Sequence, residues 1–146
     1  YNMSDIQAAL GIAQMGNIDE WLDRRFQLEQ LYLDCGSFQK ADILSCNDPA
    51  SRSAKHLFVV RVPDRDRVMA EIQKRGVGVG VHFRAVHQLQ YYRQRYPLYS
   101  NTLPVAERAS SEVLSLPFYP SMSDADVRTV VETLNKTIWD IKHNMC

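Results

Sequence analysis

Apolar positions recur with helical spacing at both ends of the chain. Ile6, Ala9, Leu10 and Ala13 stand at i, i+3, i+4 and i+7, one stripe of a helix. Ser4 precedes them and Gln7 follows three residues later, the spacing of a capping box. Gly16-Asn17 breaks the pattern. A second helix is predicted from about Ile18 to Leu33, with Trp21, Leu22, Phe26, Leu28, Leu31 and Tyr32 on a broad apolar face and Gly36 as its stop. Residues 37–54 are rich in turn formers, with room for a short strand near Ile43-Leu44. His56 to Val62 is β-branched and aromatic and ends at Pro63, which reads as a buried strand.

A helix starting near Asp64 runs through Val68, Met69 and Ile72 to Arg75-Gly76. Val77 to Phe83 alternates β-branched residues with Gly78 and Gly80. That pattern predicts a strand whose backbone is closely approached where side chains are missing. An irregular helix is expected over Val86–Tyr96, and a short one from Pro104 to Val113 with proline in its first turn. Leu114 to Pro120 reads as extended. Ser123 and Asp126 form a second capping pattern. Val127, Val130, Val131, Leu134, Ile138 and Ile141 make the buried stripe of a last helix. Two helices, strand-helix-strand, an extended segment and a closing helix predict one α/β or α+β domain, with a short, mostly antiparallel sheet packed by helices.

Composition narrows the function classes. The 146 residues carry 17 basic and 17 acidic side chains, net charge zero, which argues against nucleic acid as a partner. No apolar run is long enough for a membrane span. The three cysteines, Cys35, Cys46 and Cys146, have no C-x-x-C spacing, so neither a disulfide framework nor a zinc site is expected. His82 and His87 without a nearby carboxylate make a poor metal site. Gly76-x-Gly78-x-Gly80 lacks the G-x-G-x-x-G spacing of a dinucleotide loop. The chain starts at Tyr1 with no signal-peptide pattern, and reads as cut from a longer chain or as one whose first residues were not recorded; a cytoplasmic location is expected.

Five segments then point to a family. Tyr1-Asn2-Met3-Ser4-Asp5-Ile6 resembles the Y-N-x-[ST]-D-I segment of the DegT/DnrJ/EryC1/StrS sugar aminotransferases, and Arg24-Arg25 resembles their R-R element. Lys55 to Val62 resembles their H-L-[FY]-x-x-R-V strand. Lys74 to Phe83 is similar to K-x-R-G-I-x-x-x-x-H-[FY], and Leu114 to Ser123 to L-S-L-P-[LF]-[FY]-P-x-[ML]-[ST]. The run His82-Phe83-Arg84-Ala85-Val86-His87, followed by Tyr91 to Pro97, is similar to the branch that aminates a UDP-4-keto-pentose to give 4-amino-4-deoxy-L-arabinose for cell-envelope polysaccharide.

The resemblance implies the small C-terminal domain of a fold-type-I, pyridoxal-phosphate (PLP) enzyme. It implies no catalytic residue in this chain, because none of Lys40, Lys55, Lys74, Lys136 and Lys142 lies in a segment like the family's Schiff-base lysine motif. The large domain that holds the cofactor would lie outside the chain, and no PLP is expected on the chain alone. Asn2 would reach the cofactor phosphate of a neighbouring subunit. His82, Arg84 and His87 are the candidate substrate-binding residues. His82 suits a sugar or diphosphate oxygen, and the planar guanidinium of Arg84 matches phosphate. A nucleotide sugar, a separate large-domain chain and a second copy docked through the helices of residues 4–33 are the expected partners. A stand-alone, non-enzymatic module for self-association or partner binding is the competing expectation.

Overall fold

Ser4 caps the first helix, α1 (Asp5–Met15), as its spacing predicts. Its hydroxyl accepts from the Gln7 amide at 3.4 Å, and the Gln7 side chain accepts from the Ser4 amide at 2.9 Å. The computed structural model describes residues 2–35, 42–43, 53–97 and 102–143. After a break at Gly16-Asn17 comes α2 (Ile18–Asp34), which ends at Cys35. The expected stop at Gly36 lies outside the described residues, as do Leu44, Lys40, Cys46 and Cys146.

Three strands follow in one antiparallel sheet of order β1-β2-β3: β1 (Asp42–Ile43), β2 (Phe58–Arg61) and β3 (Val113–Leu116). Ile43 is thus in the short strand expected there. The register sets Phe58 opposite Leu116 and Val60 opposite Leu114. Because side chains alternate across a strand, these four share the inner face. Val59, Arg61, Val113 and Ser115 share the other. The amide of Val62 donates to Glu112 O at 2.9 Å and prolongs the pairing.

Helix α3 (Arg65–Lys74) ends in a Schellman turn. Gly76 takes φ 84°, the Gly76 amide donates to Gln73 O and the Val77 amide to Ile72 O. Only glycine enters that left-handed region without cost. A 3-10 turn (Val86–Gln88), α4 (Gln90–Arg95) and α5 (Pro104–Glu112) lead into β3, and α6 (Asp124–His143) closes the chain. Helices α2 and α3 both pack on α6. The core lies between them and the inner sheet face. Leu28, Tyr32, Val60, Ile72, Leu114, Val127 and Leu134 are fully buried there.

Two expectations need correction. Residues 77–83 do not form a strand: among the described residues only Gly80 is paired, in an isolated antiparallel bridge with Ser115. Strand propensity was present, but propensity without a partner edge does not make a ladder. Val113 starts β3 rather than ending α5. The apolar face expected on α2 is the covered one: Leu28 is wholly buried, with Trp21 and Phe26 half-buried, because α2 folds back onto α6.

Helix α1 behaves differently. None of its side chains is buried, and Ile6 and Leu10 remain 76% and 62% exposed. The stripe read from the sequence is real, but no described part of the chain covers it.

Candidate functional site

The R-R element braces the fold. Arg25 Nη1 donates to the carbonyls of Lys55 at 3.0 Å, His56 at 3.3 Å and Phe118 at 3.4 Å, with its guanidinium 5.6 Å from the Phe118 ring centroid. Arg24 Nη2 donates to Met122 O at 2.6 Å and to Asp124 at 2.9 Å. One guanidinium fork satisfies carbonyls that enter β2 and leave β3; its neighbour satisfies the start of α6. Tyr32 adds a third tie from α2. Its hydroxyl donates to Pro117 O at 2.7 Å, and its ring stacks on Phe58 with centroids 4.4 Å apart. Burial pushes this phenol well above its ordinary value, assisted by the nearby Tyr119. Together these contacts hold the Pro117–Met122 segment, and β3 before it, in a fixed position.

On the outer face of β3 sits His82. Gly80 and Ser115 exchange both backbone hydrogen bonds, at 3.1 and 2.8 Å. Two residues on, the His82 imidazole folds back and places Nδ1 3.0 Å from Ser115 Oγ. A Cβ at Gly80 would meet His82 Cε1 at 3.0 Å. The close approach expected at this glycine is therefore made by the imidazole itself. Gly78 differs: nothing lies within 4 Å of a Cβ built there, so the expected close contact is absent. The ring of Phe83 meets the His82 ring edge-on at 5.0 Å and is 74% exposed. The peptide bond between the two residues is cis.

Arg84 is exposed, with no hydrogen bond or ion pair among the described residues. His87 is placed otherwise. Its Nε2 lies 3.3 Å from Glu107 Oε1, both side chains mostly shielded from solvent. The carboxylate missing from the local sequence is supplied by α5, twenty residues away. The Ala85 amide donates to Ser110 Oγ at 2.8 Å, and buried Arg65 holds the Ser110 and Val113 carbonyls at 3.1 and 2.8 Å. The loop from His82 to His87 is thereby pinned at both ends, to β3 through Ser115 and to α5 through Ser110 and Glu107. Ser115, Ser110 and Glu107 were not singled out by sequence reasoning. Only the tertiary register brings them to the loop.

The structure brings His82 and Arg84 together on one exposed loop. His87 turns into α5, and Asn2, also exposed, precedes α1. None of these four lines either of two surface clefts of this chain. One, of about 370 Å³, is walled by Gly76, Gly78, Pro117, Tyr119, Met122 and Asp126. The other, of about 780 Å³, lies between α2 and Pro120-Ser121. Among the described residues there is no cluster of metal-ligating side chains and no helix long and apolar enough to cross a membrane.

The four described lysines do not fit the ring-holding role that PLP requires. Lys55 Nζ is 3.0 Å from Glu29 Oε1 in a nearly buried pair, Lys74 pairs with Glu71 at 2.7 Å, and Lys136 and Lys142 are exposed on α6.

Solved structures share this fold. Spr1654 of Streptococcus pneumoniae, described as a sugar aminotransferase, superposes in its apo form with TM-score 0.89 at 24% identity, over 97% of this chain and 37% of that one. S. venezuelae DesV, in complex with a ketimine intermediate, gives 0.83 at 26%, over 94% and 37%. Helicobacter pylori PseC, an aminotransferase involved in the biosynthesis of pseudoaminic acid, gives 0.83 at 21%, over 96% and 38%. The chain thus spans little more than a third of the length of these proteins. Residues 1–135 match the model of one family over nearly the whole sequence, and with the fold in agreement, this chain belongs to the DegT/DnrJ/EryC1/StrS aminotransferase family.

Proposed function

We propose that this chain is the small C-terminal domain of a PLP-dependent nucleotide-sugar aminotransferase, and that it closes the substrate cleft of a large domain carried outside residues 1–146. The observation that carries this reading is the placement of His82 and Arg84. They stand on a loop pinned at both ends, yet outside either cleft described in this chain. Rigid donors that line no pocket of their own suit a pocket completed by another domain.

PLP, when bound in the intact enzyme, supplies the electron sink for amino transfer. The residues of this chain bind and orient. His82 donates from Nε2 to a sugar or diphosphate oxygen. The Arg84 guanidinium faces the diphosphate. Asn2 donates its amide to the cofactor phosphate across a subunit junction. His87 holds the loop to α5 through Glu107. The His82–His87 and Tyr91–Pro97 segments support a UDP-4-keto-pentose as acceptor, in a cytoplasmic enzyme serving cell-envelope polysaccharide. No described lysine is placed for the cofactor, which supports reading the chain alone as inactive.

A second reading has its own support. Helix α1 exposes Ile6, Leu10, Ile12 and Met15 with no buried residue, as a module that pairs with a second copy would. The test is to read the gene upstream of the Tyr1 codon. The whole encoded protein and the 146-residue chain are then assayed for amino transfer from glutamate to a UDP-4-keto-pentose. The enzyme reading expects an upstream lysine-bearing domain, activity in the whole protein and none in the chain. A reading frame opening near Tyr1 overturns it in favour of the module.

A further inference from the structure

The geometry points to Ser115 as the positioning residue that fixes the His82 imidazole in its Nε2–H form and aims that donor outward; this rests on the reading of His82 as a substrate contact. Ser115 is 4% exposed, and its hydroxyl has no partner among the described residues except His82 Nδ1 at 3.0 Å. A buried hydroxyl hydrogen left unpaired is costly. The Ser115 O–H therefore donates to Nδ1, which must carry the lone pair, and the proton of the neutral ring resides on Nε2.

Nε2 itself has no partner among the described residues, on a side chain open to solvent. The device has two further parts. The bridge between Gly80 and Ser115 sets the separation of the two backbones. The missing Cβ of Gly80 leaves the space that the ring enters, since a methyl there would stand 3.0 Å from Cε1. The outcome is an imidazole held at one nitrogen and offered at the other, so a neutral oxygen or an oxyanion of the ligand meets an N–H donor without requiring a charged histidine.

Two measurements test this separately from the function. Long-range 1H–15N spectra of the 146-residue chain, with His82 assigned by loss of its signals in His82→Gln, read the tautomer. The unmodified chain and Ser115→Thr should show the Nε2–H pattern alone. Ser115→Ala and Gly80→Ala, one removing the hydroxyl and the other displacing the ring, should both show an averaged mixture. An Nδ1–H ring in the unmodified chain, or spectra unchanged in Ser115→Ala, would overturn the assignment.

In the whole encoded protein, Ser115→Ala should raise KM for the UDP-keto-sugar about 2- to 10-fold, the loss of one hydrogen bond. It should add nothing to His82→Ala. Additive effects would overturn positioning through His82. If His82→Ala leaves KM unchanged, the substrate reading fails while the spectra still decide the role of Ser115.

Discussion

Lys55 and Glu29 form an ion pair almost out of water: Nζ lies 3.0 Å from Oε1, with the two side chains 11% and 9% exposed. The pair ties the segment leading into β2 to the middle of α2, beside the carbonyls held by Arg25. Removing one partner strands the other charge in the interior, which costs about 3–5 kcal/mol. Glu29→Ala should therefore lower unfolding free energy in urea by that amount. The double variant Glu29→Leu/Lys55→Met should recover most of the loss. A single-variant cost below about 1 kcal/mol, the range of surface pairs, would show that the pair is solvated.

Tyr32 supplies a pH prediction. Its folded-state pKa is raised, chiefly by burial, so its contribution is complete below the unfolded value of about 10 and is lost as pH rises above it. The unmodified chain should lose stability steeply in that alkaline window, and Tyr32→Phe should flatten the slope. At neutral pH the same variant loses the bond to Pro117 O and leaves that carbonyl unpaired, costing about 1–3 kcal/mol. Urea titrations at the two pH values check both parts.

Asp126 works in the opposite sense. It accepts from the Ser123 hydroxyl at 2.7 Å and from the Ser123 amide at 2.9 Å at the start of α6. These bonds hold its carboxyl below the ordinary aspartate value. The stabilisation is present above the unfolded pKa of about 3.9 and is lost as pH falls through the folded value. NMR titration should find Asp126 among the more acidic aspartates, and Ser123→Ala should return it toward normal.

Helix α1 separates fold from association. With no buried side chain, Leu10→Glu should change unfolding free energy by no more than about 0.5 kcal/mol. Leu28→Ala in the core should cost about 2–5 kcal/mol. Light scattering at micromolar concentration should show the unmodified chain self-associating through residues 4–33 and Leu10→Glu as a monomer. A monodisperse monomer for the unmodified chain would contradict this interface.

Helix stripes and caps were legible because they depend on neighbours within four residues. Ser4–Gln7 and Ser123–Asp126 form as their spacing implies, and the family was readable from five short segments in order. What depended on register was not legible. Val77–Phe83 has strand composition, yet β3 offers a partner to Gly80 alone among those residues. Ser115 meets His82 across 33 positions and Glu107 meets His87 across 20. No local pattern encodes either pair, since each follows from where β3 and α5 come to rest.

In the proposed enzyme this chain contributes donors to a substrate cleft and no lysine to the cofactor. Borohydride reduction of the 146-residue chain after incubation with PLP, followed by peptide mass mapping, tests it most directly. No stoichiometric label is expected on any of Lys40, Lys55, Lys74, Lys136 and Lys142. Stoichiometric, site-specific trapping on one of them would contradict it.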